Sequence, residues 1–382
     1  MNGSRRFILG VMVHSSSISV CALVPYPLNT VPGQRFRIEQ WQPYLEKEGI
    51  LVDFFPFADA RLMQWLYQPG QWVKKAAGLT AAFARRIRQL PAARRYDVIL
   101  IYRAIWLFGP AALERVASVL NRPIIFDFDD AIYLLHTTEA NRWFGWLKFP
   151  RKTDAICRLS DHVVVGNTFL ADYARRHNPS VTVIPSSVDT ERFRPVDRAS
   201  TSHHVVIGWT GSSTSQTYLE QFAPVLRQLV VRRQVEIRVH SDRPPVLDGV
   251  PVSWRPWSPE TEADEIAQFD IGIMPMPDEL WAYGKCAMKA LLYMACAVPT
   301  IAQAIGANCE VIQHGENGFL ASTPEAWLAY LEALIDNPAL RKKLGASGRR
   351  TVEQRYSMQQ CATLFARVVR EAVSRHWTTH HS

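Results

Sequence analysis

From Ser19 onward the chain alternates short apolar runs with longer stretches whose apolar residues recur at helical spacing. The runs of the first half are Ser19–Val24, Val52–Pro56, Val98–Tyr102, Ile124–Asp127, His162–Val165 and Val181–Ile184. They are rich in Val and Ile and apolar on both faces, the pattern of parallel strands covered by helices. Helical spacing fits Arg35–Glu48, Trp72–Leu90, Pro110–Leu120 and Phe169–Arg176 between them. A second series has strand runs at Val205–Trp209, Val235–His240, Val252–Trp254, Ile271–Met274, Thr300–Ala302 and Gly318–Leu320. Its helical segments are Gln216–Val230, Glu262–Ala267 and Ala287–Cys296. Three more helical segments close the chain, at Glu325–Ile335, Ala339–Tyr356 and Gln359–Arg375. The expected fold class is α/β, with two doubly wound parallel-sheet domains facing each other across a cleft. The expected division is a first domain at 17–185, a Ser-, Thr- and Pro-rich linker at 186–204 and a second domain at 205–357. Residues 358–382 form a C-terminal helix and tail that cross back to the first domain.

Composition adds a compartment and a partner. With 382 residues, the chain exceeds what one core usually covers. Its net charge of +8 is carried by the first half, which implies an anionic partner on that side. The six cysteines are scattered without a C-x-x-C pair, so neither a zinc site nor a disulfide framework is indicated. Reduced thiols in apolar segments point to the cytoplasm. Arg5-Arg6 before Phe7–Val13 faintly resembles a signal peptide, but the apolar run is minimal and no clean cleavage site follows. Residues 1–16 are read instead as a disordered extension. No run of about 18 apolar residues occurs, so no transmembrane helix is expected.

The candidate chemistry gathers at glycine-bearing turns. Lys285 and Lys289 sit at the head of an apolar helical segment that opens at Gly284. Cations are unfavourable at a helix N-terminus, and two of them four residues apart repel each other. An anion bound there resolves the conflict, because free N–H groups and the helix dipole favour phosphate. The alternative is that both ammonium groups snorkel into water. Glu310 lies between Gly306 and Gly315, in a loop–helix–turn suited to presenting a carboxylate to a hydroxyl-bearing ligand. Gly211-Ser212-Ser213 ends the first strand run of the second domain, a βα turn that suits phosphate or serves only as a connection. Gly33 and Arg35 occupy the matching turn of the first domain. Asp129 and Asp130 close the FDFDD strand end, where they can bind a metal, hold an acceptor hydroxyl or brace the loop. Trp72, Lys74, Lys75, Arg85, Arg86 and Arg88 lie on one basic amphipathic helix, which fits an anionic membrane surface or one packed face. Trp143–Phe149 is a second aromatic and basic cluster. Helix-turn-helix, zinc-finger and RNP-like signatures are missing, which argues against nucleic acid as a partner.

Several of these stretches together carry a family likeness. GKCAMKALLYMACAVPTIAQAIGANCEVIQHGENGFLAS, from Gly284, resembles the donor-site signature of family-4 (group 1) glycosyltransferases with the GT-B fold. VVVGNTFLADYARRHNPSVTVIPSSVDTERFRP resembles the end of that family's first domain, and VVIGWTGS the start of its second. LVPYPLNTVPGQRFRIEQW and IIFDFDDAIY resemble first-domain elements of a bacterial subgroup of the cell-surface polysaccharide type. The resemblance implies two Rossmann-like domains and a retaining, metal-independent transfer from a nucleotide-diphosphate sugar, with no cofactor beyond that co-substrate. The acceptor implied is lipid-linked or polysaccharide, at the cytoplasmic face of the membrane. Carried over by position, Lys285, Lys289 and Glu310 are the catalytic candidates, with the lysines and Gly284 on the diphosphate and Gly211–Ser213 near it. Gly33, Arg35, Asp129 and Asp130 would face the acceptor. The family's two glutamates, eight residues apart, are here Gly284 and Leu292, and its glycine after the helix is Ala297. These departures leave open a binding or regulatory protein on the same fold. A sugar-nucleotide epimerase is the weakest alternative, because the catalytic acid or base it needs is missing.

Overall fold

The computed structural model describes residues 17–68, 70–107, 109–134, 149, 151–196 and 204–380. The expected extension at 1–16, most of the aromatic cluster at 143–149 and part of the linker lie outside these residues. The first sheet is built from β1 (Ile18–Val24), β2 (Ile50–Pro56), β3 (Val98–Tyr102), β4 (Ile124–Phe128), β5 (His162–Val165) and β6 (Val181–Val183). Its order is β2-β1-β3-β4-β5-β6, parallel throughout. The second holds β7 (Val205–Gly211), β8 (Val235–Ser241), β9 (Val252–Pro256), β10 (Ile271–Met274), β11 (Thr300–Gln303) and β12 (Phe319–Ala321). Its order is β12-β11-β10-β7-β8-β9, again parallel. The strand order reverses between β1 and β3 in one sheet and between β7 and β10 in the other. Ligands of such sheets bind outside the carboxyl ends of the strands at that reversal.

Local chemistry explains where the helices depart from expectation. The segment read as one helix from Arg35 to Glu48 is three pieces, Pro32–Arg37, a 3-10 turn Glu39–Trp41, and Gln42–Lys47. Pro43 lacks an N–H and is tolerated only in the first turn of a helix, so a new helix starts there. Ala60–Tyr67 forms a helix that its short periodic pattern did not announce, while Ala307–Val311 is the helix expected around Glu310. The lysine-bearing helix runs Met288–Ala295, because Ala287 is left-handed at φ +53° and ends the preceding extended segment. Ala297, after that helix, is also left-handed at φ +54°. A side chain there costs up to about 1 kcal/mol relative to glycine.

The C-terminal helix Met358–His380 leaves the second domain and packs on the first. Cys361, Ala362, Phe365, Ala366 and Val369 recur at helical spacing and share a core with β1, β3 and Trp41. The Trp41 and Phe365 rings lie 5.5 Å apart. Arg370 Nη2 donates to the Glu48 carbonyl at 2.7 Å, which ties down the outer end. Inside the first domain, Arg37 and Asp127 are both fully buried and form an ion pair. Arg37 Nη1 also donates to the Ile184 carbonyl at 2.6 Å. This arginine therefore joins the helix Pro32–Arg37 to the end of β4 and to the exit of the domain. Burial pushes the Asp127 carboxyl up to about 6, against the pull of Arg37.

Candidate active site

At the reversal of the second sheet, β7 ends at Gly211 and the long helix Ser213–Arg232 begins. A Cβ on Gly211 would stand 2.6 Å from the Trp209 ring and 2.8 Å from Lys289 Cε. Only glycine lets the lysine stem lie on this turn. The Lys289 ammonium sits 5.4 Å from the centre of the Trp209 ring. It is half-buried and has no acidic partner among the described residues. Burial, with Lys285 adding to it, lowers its pKa to about 8. A cation held this way has its apolar stem packed and its head open to an anion.

Lys285 behaves differently. It lies in extended backbone ahead of the helix rather than in its first turn. Its ammonium is 2.8 Å from Asp130 Oδ2 of the first domain and 5.3 Å from the Trp281 ring. The turn after Gly211 is also partly committed. Ser213 N and Oγ donate to the Asp242 carboxylate at 2.5 and 2.8 Å, and Ser212 Oγ lies 2.8 Å from Thr214 Oγ1. The N–H expected to meet phosphate at Ser213 is thus taken by a side chain from the end of β8.

On the first domain the reversal brings the turn after β1 to the end of β3. Asp129 is buried, and its Oδ1 accepts from Tyr102 Oη at 2.8 Å and from Arg103 Nε and Nη2 at 2.9 and 2.7 Å. Burial pushes this carboxyl up, but Arg103 and Arg37 more than reverse the effect and leave it below the ordinary carboxylate range. Of the three roles open for the acidic strand end, bracing the loop is the one Asp129 performs. A Cβ on Gly33 would stand 2.8 Å from Asp129 Oδ2, so the glycine turn closes over this carboxylate. Arg103 is left-handed at φ +58°, an uncommon state for an arginine, held here by its hydrogen bonds to Asp129. The sequence signal for it was its place directly after the apolar run VILIY. Arg35, expected to face the acceptor, points at Glu262 of the second domain, 3.7 Å away and similarly buried.

Glu310 also spans the domains. Its Oε1 accepts from Thr168 N and Thr168 Oγ1 at 3.1 and 2.5 Å, rather than pointing freely into the cleft. It lines a concavity with Pro185, Arg355, Tyr356 and Gln360 that contains neither lysine. Leu292 is 3% exposed and packs in the core of the second domain, so a carboxylate is absent from that position. No three His, Cys, Asp or Glu side chains converge at metal-ligand spacing among the described residues. Exposure is uneven along the basic helix Trp72–Gln89. Trp72, Val73, Lys74, Ile87 and Arg88 are exposed, and Lys75 sits 5.0 Å from the Trp72 ring. Arg86 is fully buried and donates to the Val24 and Phe55 carbonyls, while Arg85 donates to the Phe57 carbonyl at 2.6 Å. Arg86 therefore anchors the helix and is withdrawn from solvent, while Arg85 stays half-exposed.

Residues 39–192 match the model of Glycosyltransferase Family 4, and residues 204–337 match that of Glycosyl transferases group 1. Between them they span both domains. The chain belongs to the group 1 glycosyltransferases. Sucrose-phosphate synthase from Thermosynechococcus elongatus superposes with a TM-score of 0.66 at 14% identity, over 94% of this chain and all of that one. HepE of Anabaena, solved with UDP and glucose, gives 0.63 at 14% identity, over 93% and 100%. These likenesses establish the GT-B fold. A stretch of 112 residues is 30% identical to an uncharacterized glycosyltransferase of Methanocaldococcus jannaschii, over 28% of this chain and 31% of that protein. The match therefore spans about a third of that relative's length. No helix among the described residues is long and apolar enough to cross a membrane.

Proposed function

We propose that this glycosyltransferase moves a sugar from a nucleotide-diphosphate sugar to an acceptor held by the first domain. The observation that carries this reading is Lys289, a half-buried ammonium without an acidic partner among the described residues, at the reversal of the second sheet. As the bond between the anomeric carbon and the diphosphate breaks, negative charge develops on the leaving group. A fixed cation stabilises that charge more than it stabilises the bound donor. Lys285 adds a second charge once the diphosphate displaces Asp130, and Gly284 lets the main chain lie against Ala131 of the first domain. Glu310 acts through Thr168. HepE binds UDP and UDP-glucose, which supports a nucleoside-diphosphate donor. The family likeness supports retention of configuration and independence of metal, with the lysines supplying the charge a metal would otherwise bring.

A panel of UDP-, GDP-, ADP- and dTDP-sugars in a thermal-shift assay tests the donor. A true donor at 100 times its Kd adds about 2.7 kcal/mol of apparent stability. A flat response to all four classes would overturn the reading.

The finer reading is a lipid-linked or polysaccharide acceptor at the cytoplasmic face of the membrane, met by the exposed Trp72, Val73, Lys74, Ile87 and Arg88 and the half-buried Lys75. Each cation near an anionic surface contributes about 1 kcal/mol, so Lys74→Glu, Lys75→Glu and Arg88→Glu together release the protein from anionic vesicles. Wild-type protein that stays in the supernatant with phosphatidylserine vesicles at low salt removes the membrane from the proposal.

A further inference from the structure

Asn167 was not a candidate on sequence grounds, yet it makes the most complete bridge between the domains. It follows β5 and caps the helix Thr168–Arg175, with Oδ1 accepting from Leu170 N at 2.9 Å. The residue is fully buried. Its Nδ2 donates to the Tyr283 and Lys285 carbonyls of the second domain, both at 3.0 Å. Both amide hydrogens are therefore used, and the amide orientation is fixed by its partners. The two carbonyls flank Gly284, where a Cβ would stand 2.7 Å from the Ala131 Cβ. Next along the chain, Cys286 Sγ donates to the Asp129 carbonyl at 3.1 Å. Residues 283–286 are thus gripped by an amide, stopped by a methyl group and tied by a thiol, all from the first domain. The Lys285 side chain leaves from the middle of this held segment.

We propose that Asn167 is a positioning residue for sugar transfer. By fixing the Tyr283 and Lys285 carbonyls, it sets the main-chain shape that aims Lys285 at the donor diphosphate, so the donor site is complete only when the two domains are closed. The inference rests on the nucleotide-sugar reading above. A residue of the acceptor-side domain thereby controls donor affinity without touching the donor. Loss of the bridge lowers the closed fraction, and apparent affinity falls with it.

Aspartate and serine are both good helix caps but neither offers the two amide hydrogens. Asn167→Asp and Asn167→Ser therefore keep the cap and cut the bridge. The experiment measures binding of UDP, GDP, ADP and dTDP to wild type by calorimetry and carries the nucleotide that binds through the variants. Thr323→Ala, which removes a cap within the second domain, is the control for stability alone. The expected result is that Asn167→Ser melts near wild type, that Asn167→Asp melts lower because its buried carboxylate faces two carbonyls, and that both bind about tenfold more weakly or worse, the scale of two lost buried hydrogen bonds. Adding Lys285→Ala to Asn167→Asp brings little further loss, because both act on one element. Thr323→Ala lowers the melting temperature and leaves affinity unchanged. Wild-type affinity or tighter in the Asn167 variants, or a fully additive Lys285→Ala effect, overturns the proposal. So does unfolding of both variants. Wild type that binds none of the four nucleotides overturns the donor reading itself, which separates the two failures.

Discussion

Lys289→Met lowers affinity for the nucleotide diphosphate by at least about tenfold, the scale of one charge-assisted hydrogen bond, and leaves the unliganded protein no less stable. Both halves follow from the same geometry. The lysine stem packs on Gly211 and Trp209, which methionine reproduces, while the ammonium is half-buried beside Lys285 without an acidic partner among the described residues. An uncompensated charge in such a place costs free energy until an anion arrives. Acidity gives the signature. Burial first, and Lys285 second, lower the Lys289 pKa to about 8. Donor affinity is therefore full below that value and falls as pH rises through it, whereas Lys289→Arg holds affinity constant there. In the unfolded chain a lysine titrates near ~10.4, so between about 8 and that value the unfolded state binds more protons than the folded one. Wild-type stability consequently rises across this window, and the methionine variant lacks the rise. Calorimetry and thermal melts on either side of the folded value check all three. Unchanged affinity in folded Lys289→Met would displace the diphosphate from this lysine.

Arg37→Leu destabilises the protein by about 3–5 kcal/mol, because it strands the fully buried Asp127 without its counter-charge. It also removes the donor to the Ile184 carbonyl, where the first domain hands over to the linker. Adding Asp127→Leu recovers most of the loss, since a buried ion pair replaced as a unit is often neutral. The deficit of the single variant depends on pH in a definite direction. Burial already raises Asp127 to about 6, and removing Arg37 raises it further. The protonated carboxyl is tolerated and the unfolded value is common to both proteins, so the deficit is small below about 6 and grows as pH rises from there towards the variant's higher folded value. Urea unfolding of the two variants at pH 4 and pH 7 measures this cycle. A single-variant loss under about 1 kcal/mol at neutral pH would mean the pair contributes little.

Each strand run read from periodicity became a strand of one of the two sheets, and the long helices were equally legible. The misses have local causes. Pro43 divides the first helix, and left-handed Ala287 delays the start of the lysine helix by placing Lys285 in extended backbone. The Ala60–Tyr67 helix is too short for its period to stand out.

The candidate site was legible in a different measure. Lys289, Gly211 and the two acidic residues were visible as residue types at turns, but their roles separate only in the fold. Asp129 is consumed by Arg103 and Tyr102, Asp130 by Lys285, Arg35 by Glu262 and Glu310 by Thr168. Arg86 proved to be a buried anchor although its neighbour Arg88 is exposed. By itself the sequence determined two parallel sheets, their strand runs and a lysine-bearing helix at a strand end, because apolar periodicity and turn chemistry act within a few residues. The tertiary structure alone decided which charges are spent and which stay free. Asp130 and Lys285 are 155 positions apart, and such pairing depends on how two domains meet rather than on any local pattern.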